Sequence, residues 1–153
     1  MPAYKTHISA GLLFSLVIIY LGSLSHNSPG LLFFWVTCAI LGSLFPDIDT
    51  QSKGRKIFYS LFIVLLLICL FYQKTVYALY LSGASLCPLV MRHRGLFHNI
   101  WFLLLLIGSI SILLGHLFPN CSSEIKSGTL FFALGVISHL WLDLGFKNML
   151  KLR

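Results

Sequence analysis

The chain has 153 residues, about one domain's worth; 58% are hydrophobic, only 10% are charged, and the mean hydropathy is +0.90. An average soluble domain is about 25% charged, and a globule of this size keeps too much of its area exposed to hide the excess apolar surface. An ordinary soluble domain, a disordered chain and a disulfide-stapled miniprotein are thereby excluded, which leaves a polytopic membrane protein with one domain over residues 1–153.

Six apolar stretches follow in order. The first, 8–25, comes just after Lys5 and His7. A secretory signal peptide competes for it, but apolar runs in such peptides usually span about 7–15 residues; this longer run is predicted as a membrane helix. The second, 30–45, meets Pro46 and a polar turn, PDIDTQSKGRK, that holds Asp47 and Asp49. The third and fourth, 57–72 and 75–91, are parted only by Gln73 and Lys74. RHRGLFHN at 92–99 then supplies Arg92, His93, Arg94 and His98 before the fifth stretch, 100–117. FPNCSSEIKS at 118–127 reads as a turn into the sixth, 128–145, which carries His139 and Asp143.

These stretches hold 103 residues and one of the fifteen formal charges, Asp143. Each has 16 to 18 residues, against roughly 20 for a span of the hydrocarbon core, so the shorter ones draw on their flanks. They are apolar all round, as expected of helices set among lipid and other helices, and no segment alternates as a barrel strand must. The expectation is an all-α bundle of about six transmembrane helices.

Basic residues orient it. With a cytoplasmic N-terminus, nine fall inside (Lys5, Lys53, Arg55, Lys56, Arg92, Arg94, Lys147, Lys151 and Arg153) and two, Lys74 and Lys126, outside. Both termini are therefore predicted cytoplasmic. The net charge of +7 lies at membrane borders, where it meets lipid head groups; the lipid bilayer is the expected partner and no nucleic acid is. Cys38, Cys69, Cys87 and Cys121 form no CxxC pair and read as small hydrophobes.

This topology gathers His7, Asp47, Asp49, His93, His98, His139 and Asp143 at the cytoplasmic side. His139 and Asp143 are four apart and share a helical face. An aspartate inside a membrane helix costs about 2.5–3.5 kcal/mol on insertion scales, which a cation offsets. Taken singly, His7 reads as an interfacial side chain, the two loop aspartates as a cap, and His139 with Asp143 as a hydrogen bond within one helix; their convergence favours a metal centre. Mixed His and Asp donors suit zinc, with manganese or iron as alternatives, and seven candidates suffice for one ion with supporting partners or for two. His26 and His116 lie at the opposite end and read as surface residues. Arg92 and Arg94 suit either a phosphate clamp or topology anchoring. There is no GxSxG elbow, so a metal-activated water is the best available nucleophile.

THISAG with His7, LGSLFPDIDT with Asp47 and Asp49, HRGLFH with His93 and His98, and GVISHLWLDL with His139 and Asp143 occur in that order. On these motifs the chain resembles the YdjM family of inner-membrane metal-dependent hydrolases, which is distantly similar to zinc-dependent phospholipase C enzymes. The resemblance implies a helical metallohydrolase of phosphoesters in a bacterial inner membrane. The Thr that often follows the last Asp of the family is replaced here by Leu144. Type-2 phosphatidic acid phosphatases also end in HxxxD, but Phe132 and Ala133 occupy the place of their Ser-Arg pair, and PSGH is lacking. The expected function is metal-dependent hydrolysis of a phosphoester on a lipid or lipid-linked substrate, with Asp49 as general base and Arg92 and Arg94 on the substrate. The alternative is a non-enzymatic metal-binding or ion-transport protein.

Overall fold

The computed structural model describes residues 4–90 and 96–150, and among these there is no strand. The chain forms α1 (Tyr4–Leu21), α2 (Pro29–Leu44), α3 (Lys53–Phe71), α4 (Thr75–Val90), α5 (Ile100–Leu117), α6 (Ser122–Leu144) and a last turn, α7 (Phe146–Met149). Short 3-10 turns at Leu24–His26, Phe45–Asp49, Leu96–His98 and Pro119–Cys121 link them. The all-α expectation holds. Five elements are long and apolar enough to cross a bilayer: those of α1, α3 and α5, α2 with the Phe45–Asp49 turn, and α6 with the Pro119–Cys121 turn. The 16 residues of α4 fall short of that length, yet α4 carries the chain back from the far end of α3, because the Leu96–His98 turn packs on Phe45–Asp49.

Local chemistry sets the helix ends. Ser28 accepts from the Leu31 amide and Pro29 takes the first position of α2, where its missing N–H costs nothing. Ser52 caps α3 through the Arg55 amide. Asn99 Oδ1 accepts from the amides of Trp101 and Phe102 and starts α5. Two boundaries depart from the hydropathy reading. α1 begins four residues before the apolar run, and α6 begins at Ser122, so that exposed Glu124 and Lys126 are helical and not in a loop. Hydropathy marks the hydrocarbon slab, whereas a helix continues into the head-group region wherever its backbone bonds persist.

The centre of the bundle is α1, α2 and α6, which meet almost backbone to backbone. A methyl on Gly135 would collide with the Ala39 carbonyl oxygen, and one on Gly42 with the Phe132 carbonyl oxygen. A Cβ on Gly11 would lie 2.9 Å from Ser43 Cβ. Such approach is how membrane helices associate where lipid supplies no hydrophobic contrast. Around this core, Leu44, Phe58, Phe97, Leu103, Val136 and Leu140 form one buried apolar cluster, and Trp35, Ala39 and Phe131 anchor a second. Outward-facing Phe33, Phe71, Leu79 and Leu105 are each more than 70% exposed, which suits a surface solvated by lipid.

Candidate metal centre

The close packing fixes where the polar side chains fall. His7 lies one helical turn before Gly11 and His139 one turn after Gly135, so both project into the same end of the three-helix core. Pro46 ends α2 there, and the following 3-10 turn carries Asp47 and Asp49. The Leu96–His98 turn closes over it with His98 at its end. His7, His98 and His139 are buried.

Asp47, His98, His139 and Asp143 each offer a donor atom, and all four atoms lie within 4.8 Å of one another. Around the group, Asp47 Oδ1 is 3.7 Å from His139 Nε2 and 3.9 Å from His98 Nε2. Asp143 Oδ2 is 3.6 Å from His139 Nε2 and 3.8 Å from His98 Nε2. A tetrahedral ion with bonds of 2.0–2.2 Å needs donor separations of about 3.3–3.6 Å, so these edges are too long by only roughly 0.3 Å on average. Three elements remote in sequence supply the donors.

Hydrogen bonding favours the same use. His139 Nδ1 is 2.7 Å from the Ser43 carbonyl oxygen. A carbonyl only accepts, so Nδ1 carries the proton and Nε2 presents its lone pair to the group, the tautomer a metal-ligating imidazole needs. Buried Nε2 of His139 and Nε2 of His98 have no hydrogen-bond partner among the described residues. Buried polar atoms without partners are costly, and a cation satisfies both at once. The donor set therefore fits a divalent ion.

His7 stands beside the four. Its Nε2 is 3.5 Å from Asp143 Oδ1, and its ring stacks on His139 with centroids 3.9 Å apart at 20°. Asp143 thus turns one oxygen to the four-donor group and the other to His7, while His7 covers a face of the His139 ring. His98 meets His139 edge-on, at 5.8 Å and 75°. Burial, with the nearby His139 charge, holds the His98 pKa below its ordinary 6.5, against the opposing pull of Asp49, Asp47 and Asp143. Asp49, half-buried on the same turn as Asp47, lies outside the four-donor group and acts on His98 through its charge. The Asp47 side chain is 20% accessible and that of Asp143 6%, so the group opens outward past Asp47. His26 and His116 are exposed elsewhere. Arg92, His93 and Arg94 lie outside the described residues.

Sequence reasoning did not find the Ser43 carbonyl or the glycine contacts that aim His139 at it. A backbone acceptor leaves no mark in side-chain identity; the usable signal was a glycine one turn from each of His7 and His139.

An all-α membrane bundle with a buried His/Asp group at one end defines the class: a polytopic membrane protein with a candidate metal centre. Residues 1–148 match the family described as YdjM inner membrane protein. The chain belongs to that family and is an integral inner-membrane protein. No curated protein and no solved structure matches it.

Proposed function

We propose that this protein is a metal-dependent hydrolase that cleaves a phosphoester of a lipid or lipid-like substrate at the cytoplasmic face of the membrane. The observation that supports it most is the convergence of Asp47, His98, His139 and Asp143, with buried unpartnered donor atoms, on a point that opens past Asp47. These four residues hold the ion, zinc before manganese or iron; His93, with His7 and Asp49, completes the set or supports a second ion. A divalent ion bound there acts as a Lewis acid and brings water toward ionisation near neutral pH.

The chain's own residues do the rest. The Ser43 carbonyl orients His139, and His7 buttresses Asp143 and the His139 ring. Asp49, beside the four-donor group, accepts the proton of the attacking water. Arg92 and Arg94 hold the phosphoryl oxygens. The sidedness rests on the basic residues: among the described ones, Lys5, Lys53, Arg55, Lys56 and Lys147 lie toward the site's end of the bundle, against Lys74 and Lys126 at the other. Gln51→Cys should resist membrane-impermeant labelling from outside intact cells. A site at one face, without visible repeats, speaks against transport, whose sites lie near the midplane.

The test uses detergent-purified protein, a panel of phospholipids and phosphatase reporters, and zinc or manganese against chelator. Asp49→Ala and His139→Ala should abolish turnover while the protein stays inserted, because insertion depends on the apolar spans. If metal binds stoichiometrically, no ester is cleaved and the variants only lower thermal stability, a structural metal that ties the helices together replaces the enzyme.

A further inference from the structure

The start of α3 carries basic side chains that the four-donor group does not use. Gln51, Ser52, Arg55, Lys56 and Tyr59 share one face there and line an open hollow. Each of the five carries a polar group, and the two cations among them are spare. The neighbouring Lys53 is engaged: its Nζ donates to the Tyr4 hydroxyl at 3.1 Å and lies 4.3 Å from the Tyr4 ring centroid. Arg55 and Lys56 have no acid within ion-pair distance among the described residues. Asp47 and Asp143 face His98 and His139 instead, and Glu124 lies in the first turn of α6, at the far end.

The hollow is held in place. Half-buried Arg55 lies over the Tyr59 ring, 5.5 Å from its centroid, and the Tyr59 hydroxyl donates to the Ser85 carbonyl of α4 at 2.7 Å. The guanidinium thus rests on an anchored ring, and a pre-organised fork loses less entropy when it binds. Ser52 ties the hollow to the metal centre: its hydroxyl donates to the Asp47 carbonyl at 3.0 Å and accepts from the Arg55 amide at 3.1 Å. Gly54 seats the helix start on the end of α2, since an added Cβ would lie 2.9 Å from the Leu44 carbonyl oxygen. On its other side Lys56 borders Ile57, Leu61 and Val64, each more than a third exposed on a helix long and apolar enough to span the bilayer. The charged hollow therefore gives way directly to a lipid-facing surface.

We propose that this hollow binds the phosphate of an anionic phospholipid in the leaflet next to the site. A planar guanidinium beside an ammonium suits phosphate oxygens, and the Gln51 amide adds a neutral donor. The surface from Ile57 to Val64 takes the start of an acyl chain, which a free phosphate lacks. Head-group charge is selected as well. A choline or ethanolamine cation would meet Arg55 and Lys56 with no acid to receive it, and uncompensated like charge is what turns away a wrong ligand. The inference deepens the hydrolase reading, whose substrate class becomes phospholipids without a cationic head group; the binding itself stands without that reading.

The full-length protein in detergent is offered an equal mixture of phosphatidylglycerol and phosphatidylcholine with identical chains, and the retained lipid is read by native mass spectrometry. Phosphatidylglycerol should be retained about tenfold over phosphatidylcholine. Arg55→Gln and Lys56→Gln should each lower that ratio about fivefold, while Lys74→Gln, which removes the same charge at the opposite end, leaves it unchanged. Equal retention of the two lipids, or a loss in Lys74→Gln as large as in Arg55→Gln, overturns the proposal. So does displacement of phosphatidylglycerol by inorganic phosphate at the lipid's own concentration, which would make the hollow a site for the free anion. Lys56→Gln, on an exposed side chain, decides the matter if Arg55→Gln does not fold. Preferential retention without hydrolysis would leave the head-group site standing and sink the enzyme; hydrolysis with equal retention would do the reverse.

Discussion

Gly135→Ala places one methyl group where α6 touches α2. Its Cβ would overlap the Ala39 carbonyl oxygen and lie 2.7 Å from the Ser43 amide nitrogen. Both obstacles are backbone, so no rotamer change relieves them. Restoring an ordinary contact needs the helices to part by about an ångström, and a gap of 0.5–1 Å already forfeits a quarter to a half of each dispersion contact along the seam. Overpacking of this kind costs about 1–3 kcal/mol. The same displacement lengthens the 2.7 Å bond from His139 to the Ser43 carbonyl, and a buried imidazole N–H left without its acceptor adds about 1–3 kcal/mol. Loss of the group that orients a metal-binding histidine lowers metal affinity about 10–100-fold. Thermal unfolding in detergent and metal content after dialysis against a graded chelator measure both effects. Gly108→Ala is the control: nothing lies within 4 Å of its Cβ, and the gain in helix propensity, up to about 1 kcal/mol, should leave the protein equally or more stable. If Gly135→Ala unfolds and binds metal like the parent, the α2–α6 seam does not hold the site.

Ser43→Ala should leave metal binding unchanged and stability within about 1 kcal/mol, because His139 uses the Ser43 carbonyl while the hydroxyl donates to Ile40 O of its own helix; metal analysis of the variant checks this. Phe131→Ala removes a fully buried ring stacked on Trp35 and should cost about 3–5 kcal/mol in thermal unfolding, with metal stoichiometry unchanged in the protein that remains folded. The pH dependence has a definite sign. The lowered pKa of His98 means that just below pH 6.5 the unfolded chain binds the proton more readily than the fold does, so this contribution is complete above about 6.5 and is lost as the pH falls. Metal-free protein should therefore melt at lower temperature in mild acid, and His98→Ala should flatten that slope.

Charge in an apolar chain is what made the site legible. Asp143 is the one formal charge in six apolar stretches, and its spacing from His139 places both on a face without any tertiary knowledge. Asp47 stood out because Pro46 stops α2 at a membrane border. The bounds of α5 were legible in full, since Asn99 caps one end and Pro119 follows the other. What escaped was backbone. Neither the acceptor at Ser43 nor the collisions that make Gly42 and Gly135 necessary can be read from a hydropathy profile, because a glycine in a membrane helix looks the same whether it faces open space, as Gly108 does, or another backbone. The polar start of α6 escaped for a related reason: SSEIKS has the composition of a turn, but outside the slab helix geometry costs nothing in burial.

The mounting of the donors bears on what the centre does. His139 and Asp143 sit on α6 within the locked core, and His98 is held by the Leu96–His98 turn, where Phe97 is 3% exposed and wedged edge-on between Phe45 and Phe102. Asp47, at the end of α2, is the donor most open to solvent. Structural zinc sites are closed by four protein ligands, whereas catalytic ones keep three and leave a position for water or substrate. If Asp47 is the exchangeable fourth, the three buried donors should hold the ion without it. Asp47→Ala should then retain stoichiometric metal with a modestly weaker Kd, and His139→Ala should weaken binding at least about tenfold more, ~1.4 kcal/mol. Competitive titration with a chromogenic chelator on both variants reads the two constants directly. Equal losses would mean that all four donors are structurally equivalent, and the centre would then be a closed tie between helices with no position left for a substrate.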